Sequence, residues 1–141
     1  MVRFERVYVD ASVIGRLTFN QAGALHDVAW DFGIANEIIA VELSRTLDNF
    51  GITTRLPAEL RAQFREIGDR NLAHLDLIPL NVAVLRRAGS GFPTPLGTLD
   101  AIHLATALLW VENAATPLTL LTHDRQLATA ARACGLPVYP V

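Results

Sequence analysis

With 141 residues, 51% of them hydrophobic and 18% charged, the chain can build one core without disulfides or structural metals, and a long disordered tail is excluded. A formal net charge of -2 excludes a strongly basic nucleic-acid module, although all 12 cationic side chains are Arg, whose guanidinium fork suits phosphate oxygens; a coding bias of the host accounts for that equally well. The longest nearly apolar run, Ala101 to Val111, is interrupted by His103 and Thr106 and falls far short of the roughly 20 residues of a membrane span, so it is expected to be a buried helix.

Arg6 to Val9 is a short β-branched and aromatic strand ending at Asp10, after which Ser12 is placed to cap a short helix through Leu17. From Ala22 to Phe32 the apolar residues Leu25, Val28, Ala29 and Phe32 recur at helical spacing, with Gly33 as a closing residue. A second helix is predicted from Glu37 to Asn49, with Asn36 as its cap and Gly51 just past its end. Pro57 opens a third, on which Leu60, Phe64 and Ile67 repeat, running to about His74. Leu75 to Leu80 reads as a buried strand, and Asn81 as the cap of a brief helix through Ala88.

Gly89 to Pro95 carries two glycines and two prolines and is the one long loop signal. Thr98 is the predicted cap of a helix over Leu99 to Asn113. Leu118 to Leu121 reads as a strand, Arg125 to Cys134 as an Ala-rich helix closed by Gly135, and Val138-Tyr139 as a last strand. Strands alternating with helices imply an α/β domain over residues 1–141 with a mostly parallel central sheet covered on both faces, and such sheets bind ligands beyond the carboxyl ends of their strands. The opening Met1-Val2-Arg3-Phe4-Glu5-Arg6 has no apolar stretch or cleavage site of a secretory signal, so a cytoplasmic protein is expected, and the lone Cys134 reads as a packing residue.

Two carboxylates stand where chemistry is expected: Asp10 directly follows one strand and Asp124 follows another by a few residues. Asp100 lies in the first turn of an almost wholly apolar helix, near its positive end. Glu42 sits among Ile38, Ile39, Val41 and Leu43, a poor place for a purely structural charge. Each has a plain alternative: a strand end, a dipole-favoured first-turn acid, a turn opener, and a partner for Arg45 at i+3. If the four meet, carboxylates about 4 Å apart repel by roughly 4 kcal/mol per pair at an effective dielectric near 20. A proton or a cation must then relieve them, and oxygen ligands without a His or Cys cluster favour Mg²⁺ or Mn²⁺.

Tyr8 to Ser12, Val41 to Arg45, Thr98 to Ala107 and Leu121 to Leu127 together resemble the PIN-domain ribonucleases, and within them the VapC toxins of toxin-antitoxin pairs. The resemblance spans essentially the whole chain, and Leu99 to Ala107 is its most specific piece. It implies a PIN-like three-layer α/β/α fold, metal-dependent cleavage of RNA, a homodimer, and inhibition by a small VapB-like antitoxin. Asp10 and Asp100 match the principal metal ligands, Glu42 and Asp124 the acids that complete the cluster, and Ser12 and Thr122 hydroxyl residues beside them. Relatives often carry a basic residue ahead of the third acid, where this chain has Pro95-Leu96-Gly97.

A Ser-His-Asp hydrolase is disfavoured, since no Gly-x-Ser-x-Gly elbow occurs. His103, at i+3 from Asp100, reads first as a satisfied core histidine, His123 as an exposed loop residue, and His26 and His74 show no partner. Arg16, Arg86, Arg87 and Arg125 are candidate RNA-phosphate contacts, and Arg45 a neutraliser of Glu42. Trp30 and Trp110 are expected on helices, packing in the core or a dimer. The rival readings are a non-catalytic binding module on the same fold and a metal-dependent nuclease of RNA processing or DNA repair.

Overall fold

Val7, Tyr8 and Val9 have no exposed surface at all, because the strand they form is central in its sheet. In the computed structural model, which describes residues 1–141, the chain runs β1 (Val2–Val9), α1 (Ala11–Thr18), β2 (Val28–Asn36), α2 (Ile38–Thr53), α3 (Ala58–Ala73), β3 (Asp76–Ile78), α4 (Val82–Gly89), α5 (Thr98–Ala114), β4 (Thr119–Thr122), α6 (Arg125–Ala133) and β5 (Val138–Pro140). The five strands form one sheet in the order β3-β2-β1-β4-β5, and every pairing is parallel. Helices cover it to give the expected three-layer α/β fold, with α1, α2 and α3 packed on one another and α4 packed on α5. After β1 the chain places β2 on one side and later β4 on the other, so the strand order switches direction between β1 and β4. The crevice beyond the carboxyl ends of two such strands is where open α/β sheets bind ligands.

Several local expectations are corrected. The helix expected over Ala22 to Phe32 is instead a loop followed by β2, pairing from Val2↔Val28 to Tyr8↔Ile34. Val28, Trp30, Phe32 and Ile34 alternate with Ala29, Asp31, Gly33 and Ala35, a period of two that the parallel partner β1 rewards. Trp30 therefore lies on a strand, partly buried, while Trp110 is on α5 as expected. Gly33 closes no helix; a Cβ there would come within 2.6 Å of Trp30 Nε1 and 2.9 Å of Leu75 Cδ2. The 75–80 segment keeps only the three-residue β3, largely exposed because it forms the sheet edge.

The caps shift as well. Asp10, not Ser12, is the N-cap of α1, and Gly97, not Thr98, precedes α5 without any side-chain cap. Asn36 sits one residue before the N-cap Glu37, yet its Oδ1 accepts from Ile38 N at 3.1 Å. α2 continues through Gly51 to Thr53. Asn81 caps α4 as expected, its side chain accepting from Val84 N, and Gly135 follows α6 at φ +88°, a conformation that favours glycine. No helix is long and apolar enough to cross a membrane.

Candidate active site

β1 and β4 end side by side, Val9 in register with Leu121, and the backbone N–H of Asp10 continues the ladder to Leu121 O at 3.0 Å. That pairing sets Asp10 at the mouth of the crevice, 4% exposed, with Thr122 directly across from it. One carboxylate oxygen, Oδ2, accepts from Ser12 Oγ at 2.6 Å and from Thr122 Oγ1 at 2.9 Å. Each hydroxyl has a single proton and spends it on Asp10, so the 3.4 Å approach of Ser12 Oγ to Thr122 Oγ1 is a contact and not a further bond. Both hydroxyls accept in turn: His123 N–H donates to Ser12 Oγ and Asp124 N–H to Thr122 Oγ1, each at 3.0 Å. Asp10 Oδ1 takes no hydrogen bond from the protein, which leaves a lone-pair face available to a ligand.

Asp124 is the N-cap of α6, its Oδ1 accepting from Leu127 N at 2.9 Å. Its second oxygen is uncommitted within the chain. Asp100 occupies the first turn of α5, as expected, and is half-buried. Its carboxyl is pushed up from the ordinary aspartate range to about 6, first by burial, then by the charges of Asp124 and Asp10, with Glu42 adding to the rise and His103 opposing it. Asp100 thus feels all three other acids expected from the sequence. As the side chains stand, no three of these groups grip one point closely enough to hold an ion together. Asp100 is the acid that the charges of the other three act upon.

Glu42, on α2, is joined to α5 by His103 Nε2, 2.5 Å from Glu42 Oε1. The pairing with Arg45 considered for Glu42 is not made: Arg45 Nη1 donates to Asp48 at 2.9 Å. His103 is fully buried, so the reading as a core histidine holds, and its partners are Tyr8 and the candidate acid Glu42. Burial lowers its pKa, and the hydrogen bond and charge of Glu42, with Asp10 and Asp100 behind, outweigh this and raise it. Tyr8 Oη lies 2.6 Å from His103 Nδ1 and accepts from Asn36 N at 2.9 Å; burial drives its phenol strongly upward, so it stays protonated. The sequence places Tyr8 in a strand and Asn36 at a helix cap but does not show their link to His103, though the hydroxyl of a buried tyrosine usually finds a partner.

His123 is less exposed than expected. Its Nε2 is buried without a protein partner, and its pKa is lowered by burial and then by Arg16 nearby. His26, read as unpartnered, meets Asn20 Oδ1 at 2.9 Å. Of the candidate phosphate contacts, Arg87 is occupied with Ser90, Gly91 and the Phe92 ring, and Arg16 reaches Ala22 O at 3.3 Å. Arg86 and Arg125 are exposed and make no ion pair.

The donor set is all hard oxygen, carries excess negative charge and includes a carboxyl whose ionisation is opposed by its neighbours, a combination that fits Mg²⁺ or Mn²⁺. A family model described as PIN domain matches residues 7–133. Over 75 residues the chain is 45% identical to Ribonuclease VapC46 of Mycobacterium tuberculosis, covering 52% of this chain and 55% of that one. It is likewise 45% identical over 69 residues to Ribonuclease VapC35 of the same organism, covering 48% and 49%. The chain spans about half the length of the curated relatives it matches. The crystal structure of PAE2754 from Pyrobaculum aerophilum superposes with a TM-score of 0.56 at 18% identity, covering 95% of this chain and 83% of that one, a likeness of fold.

Proposed function

The chain belongs to the PIN domain family, and from that premise we propose that it is a Mg²⁺- or Mn²⁺-dependent endoribonuclease, the toxin of a VapC-type pair. The observation that carries this reading is Asp100, whose carboxyl is raised to about 6 by burial and by three other acids drawn from α2, the β1–α1 junction and the β4–α6 junction. A cluster in which neighbouring acids oppose the ionisation of Asp100 is stabilised by a divalent cation.

Asp10 and Asp100 would hold the cation, Asp10 through the Oδ1 that Ser12 and Thr122 leave free. The chemistry such an ion supplies when bound is acidification of water and neutralisation of charge on the departing oxygen. Glu42 and Asp124 would complete the cluster, holding a second cation or accepting hydrogen bonds from the attacking water, and Arg16, Arg86 and Arg125 are the proposed contacts to RNA phosphates. No side-chain nucleophile takes part.

The names of the relatives support RNA as the substrate, and through the same likeness a small VapB-like antitoxin is the proposed inhibitor, with a cytoplasmic homodimer as the working form. Incubation of the purified protein with total RNA and Mn²⁺ or Mg²⁺ tests this: discrete cleavage products are expected, and none with Asp10→Asn or in chelator. Full wild-type cleavage in chelator sinks the mechanism.

A further inference from the structure

His103 and Tyr8 are fully buried polar side chains that the proposed chemistry does not use, and together they form a continuous line of hydrogen bonds. Asn36 N–H donates to Tyr8 Oη at 2.9 Å, and His103 Nδ1 lies 2.6 Å from the same oxygen, accepting the phenol proton when the imidazole is neutral and donating to the oxygen when the ring is charged. In both forms Nε2 carries a proton and donates to Glu42 Oε1 at 2.5 Å, because a carboxylate can only accept. Asn36 is itself fixed, its Nδ2 donating to Thr106 Oγ1 at 3.0 Å and its Oδ1 accepting from the first residue of α2. The line therefore starts on β2 and ends on α2, passing through β1 and α5.

Three of those elements, β1, α2 and α5, carry or directly precede three of the four acids, Asp10, Glu42 and Asp100. Tyr8 lies on β1 two residues before Asp10, which directly follows that strand, and His103 stands one helical turn from Asp100 on the same helix. We infer that Tyr8 and His103 are positioning residues that clamp one oxygen of Glu42, leave the other directed to the acidic cluster, and lock α2 in register with β1 and α5. Packing alone does not call for this arrangement: an apolar side chain would fill the space of His103 without two buried polar atoms to satisfy. Partners that orient metal-site carboxylates this way commonly cost 10- to 100-fold in metal affinity or activity when removed.

The inference rests on the nuclease reading for its consequence, and its test separates the two. His103→Leu keeps the volume and removes the donor; His103→Gln keeps an amide donor near the position of Nε2; Tyr8→Phe removes one oxygen. The Mn²⁺ dissociation constant, by calorimetry, is expected to rise about 10- to 100-fold in His103→Leu and to return to within a few-fold of wild type in His103→Gln. Cleavage should follow through kcat with little change in KM. In metal-free wild type the Nε2 proton should appear as a downfield resonance protected from exchange and broaden away in Tyr8→Phe. Wild-type Mn²⁺ affinity in folded His103→Leu, or no such resonance in the wild type, overturns the inference. A wild type that binds Mn²⁺ and cuts no RNA overturns the nuclease reading instead, while affinity and resonance still decide the role of His103.

Discussion

Thr122 Oγ1 donates to Asp10 Oδ2 across 2.9 Å, joining two residues 112 positions apart in sequence at the ends of neighbouring parallel strands. The same oxygen accepts from Asp124 N–H, so one hydroxyl links the first acid, the last acid and the start of α6. Thr122→Val keeps the shape, withdraws a hydrogen bond from a charged acceptor and orphans a backbone donor. A loss of about 1.5–3 kcal/mol in urea unfolding is expected, with cleavage reduced, whereas Thr122→Ser should restore most of both. Equal stability of the Val and Ser variants would contradict this.

Asp100 predicts a pH dependence with a definite sign. Its folded pKa of about 6 lies above the ordinary value, so its contribution to stability is full below about pH 4 and is lost as pH rises through 6. Metal-free Asp100→Asn lacks this loss. The variant's melting temperature should gain on the wild type between pH 4 and 7, and Mg²⁺ should narrow the gap by favouring the ionised carboxylate. Melting curves of both proteins across that range, with and without Mg²⁺, check it; a gap independent of pH would refute the coupling.

The fold was legible where one periodicity dominated. The apolar run of α5, the Asn81 cap and the Gly135 stop were read correctly because a single physical cause acts at each. The helix expected over Ala22 to Phe32 fails because Leu25, Val28, Ala29 and Phe32 satisfy helical spacing while Val28, Trp30, Phe32 and Ile34 satisfy strand alternation. Pairing with β1 decides between them, and that is a long-range contact no local window contains.

The acids were legible because two follow strands and two interrupt apolar helix faces. The hydrogen-bond line behind Glu42 was not, since Tyr8 and His103 are 95 positions apart and neither carries a local signal that names the other. His123 shows the converse: its place next to Asp124 suggested exposure, and the turn of the backbone onto Ser12 Oγ buries its ring nitrogen.

Gly33 tests the corrected strand. An added methyl would meet the Trp30 indole at 2.6 Å and Leu75 at 2.9 Å, closer than side chains pack. Gly33→Ala should therefore destabilise the protein by about 1–3 kcal/mol through overpacking. In a helix the same change would stabilise by about 1 kcal/mol. Denaturant unfolding distinguishes the two by sign alone.

Asp124 combines a structural duty with a proposed chemical one, and two substitutions separate them. Asn caps helices about as well as Asp, so Asp124→Asn should keep the bond to Leu127 N–H and stay within a few tenths of a kcal/mol of wild-type stability. It removes a charge from the cluster, so cleavage should fall by at least tenfold and the carboxyl of Asp100 should move back down, since the Asp124 charge is its largest electrostatic perturbation after burial. Asp124→Ala loses the cap too, at a further cost of about 1 kcal/mol. Carboxyl carbon shifts of Asp100 followed by NMR across pH 4 to 8 in wild type and Asp124→Asn read the electrostatic half directly. An unmoved titration of Asp100 would mean that the two carboxylates do not share a site, whatever happens to stability.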